Sequence, residues 1–321
     1  MKKKIKKIGI ITRDCAGINA AIRAVVRTAY RAGFKTTGII RGYEGLIENN
    51  TIELNPRSVS GIINRGGTIL KTARAKRFRY SKGQKQALKT LESNNIDALV
   101  VIGGNGSLTG ASILSSKYSV PVVGVPATID NDINGVAMSI GADTSLNVAL
   151  GALDKIRDTA TSLERIFVVE VMGRDCGYIA LRAGLAGGCE DVILPEKRLD
   201  IKEISKEISE GSIKGKKSWI VVVAEGKAKA ADISKKITKL TGLETREVVL
   251  GHIQRGGRPT AYDRMLAARY GYHSIELIKK GRTGRCVTLR NDKLSAIPLS
   301  KAIKKKDIEV NSYYKLIKVL T

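Results

Sequence analysis

Aromatic rings are scarce in this chain, and acids are far outnumbered by bases. Of its 321 residues only 4% are aromatic, one of them the single tryptophan Trp219, and 56 Lys and Arg face only 30 Asp and Glu. Without aromatic interleaving there are no stacking platforms of the kind that bind single-stranded nucleic acid. The net charge of +26 raises nucleic-acid binding as a reading. However, the lysines are scattered or terminal (Lys2 to Lys7, Lys214 to Lys217, Lys301 to Lys306), and no DNA- or RNA-binding motif accompanies them. A specific nucleic-acid partner is therefore not expected, only salt-sensitive adhesion. A basic surface around a pocket that receives several phosphates explains the charge better. The four cysteines, Cys15, Cys176, Cys189 and Cys286, form no Cys-x-x-Cys pair, which argues against a zinc ribbon and for a reducing compartment. Long apolar runs are also missing. The basic start, Met1 to Lys7, resembles a secretory leader, but the apolar stretch after it ends at Arg13-Asp14. No later run is long enough to span a membrane, so a cytoplasmic protein is expected.

What is present is glycine (33 residues) and a 43% apolar fraction arranged as alternating strands and helices. Strands are expected at 8–12, 37–40, 98–102, 120–125, 166–171, 192–194, 219–223 and 248–250. Helices are expected after Gly17 (apolar face Ile22, Val25, Val26, Ala29) and at 84–95, 108–114, 143–161, 177–186, 201–211, 230–240 and 261–279. A short helix from Ser58 to Ile63 starts on a serine cap and closes at Gly66-Gly67. The alternation predicts an α/β protein with two similar doubly wound domains and mostly parallel sheets. No low-complexity linker or short-period repeat interrupts it, so two lobes interleaved in sequence are expected.

Three groups of residues carry chemistry. Thr128-Ile129-Asp130-Asn131-Asp132 follows an apolar strand and offers two carboxylates at i and i+2. One such group accepts a proton from an attacking hydroxyl while the other supports a metal or a cation; an Asx-rich turn is the competing explanation. Gly103-Gly104-Asn105-Gly106-Ser107, between a strand and a helix, forms an anion nest or simply a tight connection. Arg74, Arg165, Arg174, Arg246 and Arg255, with His252, include several placed beside strand ends, where a forked guanidinium suits phosphate. For any single arginine a surface ion pair is the alternative.

Together these stretches resemble the bacterial-type phosphofructokinase family over nearly the whole chain. The matching segments are Gly17 to Arg23, Ile63 to Thr68, Thr128 to Asp132, Val169 to Arg174 and Leu250 to Gly257. The resemblance implies two α/β domains facing a cleft, usually as a homotetramer: residues 1–138 plus 252–301 for the nucleotide, 139–251 plus 302–321 for the sugar phosphate. It also implies phosphoryl transfer from Mg-ATP to the 1-hydroxyl of fructose 6-phosphate, a step of glycolysis. Asp130 would be the base, with Arg74, Thr128 and Asp132 stabilising the transferred group. Met172, Gly173, Arg174, Glu225, His252 and Arg255 would hold the sugar phosphate, and Arg165 and Arg246 would reach it from a neighbouring subunit. Arg74, Ala75, Gly104, Asn105, Gly106 and Ser107 would line the ATP site. Small residues at Gly106 and Ala127, where pyrophosphate users carry an acid and a lysine, favour ATP. Arg23, Arg27, Arg157, Glu190, Lys214 and Lys216 match an effector site for a nucleoside diphosphate or phosphoenolpyruvate, from which Pro56 and Gly61 depart.

Two further departures fall in the expected active site. Thr12-Arg13-Asp14-Cys15-Ala16-Gly17 is two residues shorter than the family's first loop and lacks its leading glycines. Asn105 stands where the family supplies an aspartate to Mg²⁺, keeping an oxygen but losing a charge. The alternative reading is therefore a catalytically weakened paralogue that binds ligand and regulates an active partner.

Overall fold

The computed structural model describes residues 5–321; Met1 to Lys4, the start of the basic leader-like segment, lie outside the described residues. In chain order the elements are β1 (Lys7–Thr12), α1 (Ile18–Arg31), β2 (Lys35–Ile39), α2 (Tyr43–Ile47), β3 (Thr51–Leu54), α3 (Ser81–Ser93), β4 (Ala98–Gly103), α4 (Asn105–Tyr118), β5 (Val122–Pro126) and α5 (Ala142–Leu163). Then come β6 (Ile166–Val171), α6 (Tyr178–Ala186), β7 (Asp191–Ile193), α7 (Ile201–Ile213), β8 (Trp219–Ala224), α8 (Ala230–Thr241) and β9 (Thr245–Val249). The chain closes with α9 (Ala261–Lys279), β10 (Arg285–Arg290), β11 (Lys293–Pro298), α10 (Leu299–Ala302) and α11 (Asn311–Leu320). These elements form two compact units, one of Met1–Thr144 with Arg255–Lys306, the other of Ser145–Gln254 with Asp307–Thr321.

The first unit is built on a seven-stranded sheet in the order β11-β10-β5-β4-β1-β2-β3. Its five inner strands run parallel, and β4 is buried along its whole length, as its unbroken Ala-Leu-Val-Val-Ile run requires. The edge strands β3 and β11 are antiparallel, in keeping with the mostly parallel sheet that the alternation predicts. The β10–β11 hairpin turns on Asn291 and Asp292, both at positive φ, as a two-residue turn between twisted strands demands. Helix α1 buries Ile18, Ile22, Val25, Val26 and Ala29. It lies so near α9 that a Cβ on Gly271 would come within 2.6 Å of Ala24 Cβ. From β1 the chain moves to β2 on one side, and β4 lies on the other. The crevice outside the carboxyl ends of β1 and β4 is thus the topological switch point, where open α/β sheets bind ligands.

The second unit carries a four-stranded parallel sheet, β7-β8-β6-β9, with Ile204, Ile208, Ile233 and Ile237 of α7 and α8 packed into one core cluster with Ile166, Val168, Val221 and Val223. Strand β9 is one edge; it starts three residues earlier than the expected run 248–250 and ends at Val249.

The segment from Ser58 to Ile63 is a series of turns rather than a helix. Asn55 Oδ1 accepts from the N–H groups of Arg57 and Ser58, and Ser58 Oγ accepts from the N–H of Asn55. These local bonds occupy the donors and acceptors that a helix start would have used. Among the described residues no helix is long and apolar enough to cross a membrane.

Candidate active site

In the first unit, three neighbouring strands deliver the expected groups to one edge. The ladder pairs Thr12 with Ile102 and Gly103 with Pro126, so the turns after β1, β4 and β5 emerge side by side. The glycine turn after β4 is the first turn of α4: the N–H groups of Ser107 and Leu108 both donate to Gly104 O. Helix α4 therefore starts at Asn105, three residues before the apolar pattern marks it. Gly104 is pressed against the next turn, since a Cβ there would lie 3.1 Å from Thr128 Cβ.

The Thr128–Asp132 turn is clasped from both sides. Asp130 N–H donates to Thr128 Oγ1 (3.2 Å), and Asn131 sits at φ 48, a left-handed conformation that asparagine tolerates. Asn131 Oδ1 accepts from Ser139 N–H at 2.9 Å, while Ser139 Oγ donates to Thr128 O at 2.8 Å. Lys306 Nζ donates to the carbonyls of Asn131 and Val136. Asp130 is only 4% exposed, so its carboxyl is held in a site that largely excludes water.

Asn105 and Asp132 bridge the two turns. Asn105 Nδ2 donates to Asp132 Oδ2 at 2.7 Å and to Asp132 O at 3.3 Å. Their other oxygens, Asn105 Oδ1 and Asp132 Oδ1, are buried and have no hydrogen-bond partner among the described residues. An orphaned buried acceptor costs about 1–3 kcal/mol. Two of them on adjacent side chains form a place that a cation or its bound water would satisfy. The residues fit Mg²⁺ in this respect, as oxygen donors of which one is a carboxylate.

A buried carboxylate missed from the sequence supports this edge from behind. Asp263 accepts from the N–H groups of Gly141 and Thr144 at 2.8 Å, and from the Thr144 hydroxyl, tying the start of α9 to the segment that follows the Thr128–Asp132 turn. Burial pushes its carboxyl above the usual range, against these hydrogen bonds. Cys15 is buried alongside; burial first, then Asp263, drives its thiol well up, so it is no nucleophile. The motif glycines Gly66 and Gly257 meet backbone to backbone: a Cβ on Gly66 would be 2.4 Å from Gly257 O. Arg255 keeps a buried Nε with no hydrogen-bond partner among the described residues.

In the second unit the turn after β6 is equally specific. Gly173 lies at φ 145 with Cys176 O where a Cβ would go, and Arg174 is at φ 53. Arg174 N–H donates to Glu225 Oε1 (3.0 Å), and Met172 N–H donates to Gln254 Oε1 (2.8 Å). Met172, Gly173, Arg174 and Glu225 are thus brought together. His252 is exposed on the 3-10 turn Gly251–Arg255 that also carries Gln254. Gln254 is 1% exposed, and its Nε2 has no partner among the described residues. It was missed because an amide inside an apolar-flanked motif carries no charge to flag it.

Arg165 and Arg246 do not join this turn. They lie at the opposite ends of their strands, where β6 and β9 begin, and both pair with Glu244, Arg165 at 2.8 Å. Of the expected effector residues in this unit, Arg157 donates to the carbonyls of Gly187 and Gly188, and Lys216 reaches Glu190 at 3.0 Å. Arg157 stands 4.0 Å from Glu190. Lys214 is exposed at the end of α7. In the first unit Arg23 and Arg27 occupy one face of α1, with Arg27 donating to Pro56 O at 3.5 Å.

Comparison with known proteins identifies the family. A family profile described as phosphofructokinase matches residues 7–278. The chain is 49% identical over 301 residues to an ATP-dependent 6-phosphofructokinase of Clostridium botulinum (strain Hall), covering 93% of this chain and 94% of that one. The same identity and coverage hold for the enzyme of that name from Clostridium acetobutylicum. Among solved structures, phosphofructokinase from Saccharomyces cerevisiae superposes with a TM-score of 0.86 at 34% identity. That match covers 93% of this chain but 45% of the yeast chain, so this chain spans about half the yeast one. The chain belongs to the phosphofructokinase family.

Proposed function

We propose that the protein is an ATP-dependent 6-phosphofructokinase, transferring the γ-phosphoryl group of ATP to the 1-hydroxyl of fructose 6-phosphate in glycolysis. The observation that carries this reading is the buried, clasped Asp130 beside the two unpaired oxygens of Asn105 and Asp132. The Asp130 carboxylate accepts the hydroxyl proton as the oxygen bonds to phosphorus. The β–γ bridging bond then breaks and ADP leaves. Thr128 holds the transferring group, and Arg74 neutralises its growing charge. Asn105 and Asp132 would hold Mg²⁺, which when bound shields the negative charge of the phosphates. In the second unit the turn Met172 to Arg174, with Glu225, His252 and Gln254, takes the sugar phosphate.

The retained oxygen of Asn105 supports turnover over the ligand-binding alternative, because a cation still finds two acceptors there. The ion-paired Arg165 and Arg246, away from the Met172 turn, suit a role toward a neighbouring subunit of a homotetramer. The cluster of Arg157, Glu190 and Lys216 suits an effector anion, and a cytoplasmic location fits the substrates. The small residues at Gly106 and Ala127 favour ATP over pyrophosphate.

The test is a coupled assay with Mg-ATP and fructose 6-phosphate. Asp130→Ala is expected to lower kcat by about 10³-fold, within the range of a general base. Turnover equal to that of the variant would overturn the enzymatic reading.

A further inference from the structure

The residue that replaces the missing glycines of the first loop has its own partners. Arg13 leaves β1 at the switch point, where its N–H donates to Ile102 O (3.1 Å) and extends the β1–β4 ladder by one residue. Its aliphatic stem lies along Gly103: a Cβ on that glycine would come within 3.0 Å of Arg13 Cγ. From there Arg13 Nη1 donates to Ala73 O at 2.8 Å and to Thr72 Oγ1 at 3.1 Å. Those are the two residues immediately before Arg74.

The segment that leads to Arg74 has almost no regular structure, so side chains must hold it. Asn19 Nδ2 donates to Arg65 O and Gly66 O, and Asn19 Oδ1 accepts from Ile69 N–H. Thr12 and Thr68 hydroxyls meet at 2.9 Å, and Arg41 N–H donates to Leu70 O. Beyond Arg74, Arg77 pairs with Glu44 and Glu48. Arg13 is the last of these anchors before Arg74, and Arg77 is the first after it.

We infer that Arg13 is a positioning residue for Arg74, fixing the Thr72–Ala73 backbone so that the next guanidinium is presented to the transferred phosphoryl group. This rests on the phosphoryl-transfer reading given above. A guanidinium suits the task because one planar group reaches two acceptors on adjacent residues while its stem packs on a glycine. In this chain the shortened loop thus carries a side-chain strut where the leading glycines are missing. The strut is also a reason for Gly103 to stay small, in addition to Ser107 Oγ at 2.6 Å from its would-be Cβ.

The experiment is a double-mutant cycle in the full chain, read by kcat and by amide hydrogen exchange. Arg13→Ala is expected to lower kcat by about 10²-fold, the cost of a misplaced group near the chemistry, with a melting temperature close to that of the parent. Combined with Arg74→Ala, the further loss from Arg13→Ala should be under about threefold, because coupled residues are non-additive. Exchange at residues 72–75 should quicken in Arg13→Ala and be partly restored in Arg13→Lys. Losses that multiply in the double variant, unchanged exchange at 72–75, or uniform quickening across the whole chain would each overturn the inference. If the parent chain shows no turnover, the functional reading fails, and the exchange measurement alone decides whether Arg13 holds this segment.

Discussion

The two sheets end in turns of similar construction but opposite polar demand. At the edge of the seven-stranded sheet, Asn105 is clasped to Asp132, and the buried groups left over are acceptors, Asn105 Oδ1 and Asp132 Oδ1. At the end of the four-stranded sheet, Gln254 is clasped to Met172, and the buried group left over is a donor, Gln254 Nε2. In both, one half of an amide fixes the turn and the other half is held in reserve. An unpaired acceptor calls for a cation or a donor, whereas an unpaired donor calls for an anion or another acceptor. The comparison teaches that local hydrogen-bond accounting distinguishes the two edges: the unpaired acceptors of the first suit a cation, and the unpaired donor of the second suits an electron-rich oxygen.

Three substitutions test this contrast. Asn105→Asp has the largest expected effect, because it replaces the amide donor with a carboxylate facing Asp132. Without divalent cation it should cost about 1–3 kcal/mol, the scale of a lost buried pairing, and lower the melting temperature by several degrees. Millimolar Mg²⁺ should restore most of that loss, and equal melting with Mg²⁺ and with EDTA would break the assignment of a cation to this edge. Gln254→Ala should raise KM for fructose 6-phosphate about tenfold, the worth of one hydrogen bond, with kcat within about twofold. A fall in kcat at unchanged KM would place Gln254 in the transition state instead. His273→Gln is the smallest and serves as a control away from both edges. Burial first, then Lys280 and Arg282, lowers the His273 pKa below its ordinary 6.5. The unfolded chain therefore binds more protons in the window below pH 6.5, and His273 adds stability that grows as pH rises through that window. The variant should flatten this slope in a melting series from pH 5 to 7 while leaving both KM values unchanged.

Much of the fold was legible because buried parallel strands need unbroken apolar runs. Val168 and Val169 of β6 and Val221 to Val223 of β8 are such runs, and so is nearly all of β4. Strands β3, β10 and β11 were not legible: they border solvent or pair antiparallel, so polar residues interrupt them. Helix α11 went unread for a similar reason, since among its described side chains Ile317 alone is buried. The short helix expected from Ser58 failed because its cap signal is spent on an Asx turn with Asn55.

At the site, the sequence by itself determined which groups are available: Asp130 and Asp132 at i and i+2, a glycine turn after β4, and Arg174 after a Met-Gly pair. Side-chain chemistry and strand-end position are local properties, so a linear reading reaches them. Only the tertiary structure decided what those groups face. It joined Asn105 to Asp132 across 27 residues, Gln254 to Met172 across 82, and Arg13 to Ala73 across 60. The reason is physical: a hydrogen bond is fixed to tenths of an ångström by the packing of separate strands, and no pattern of residue types along the chain encodes that distance.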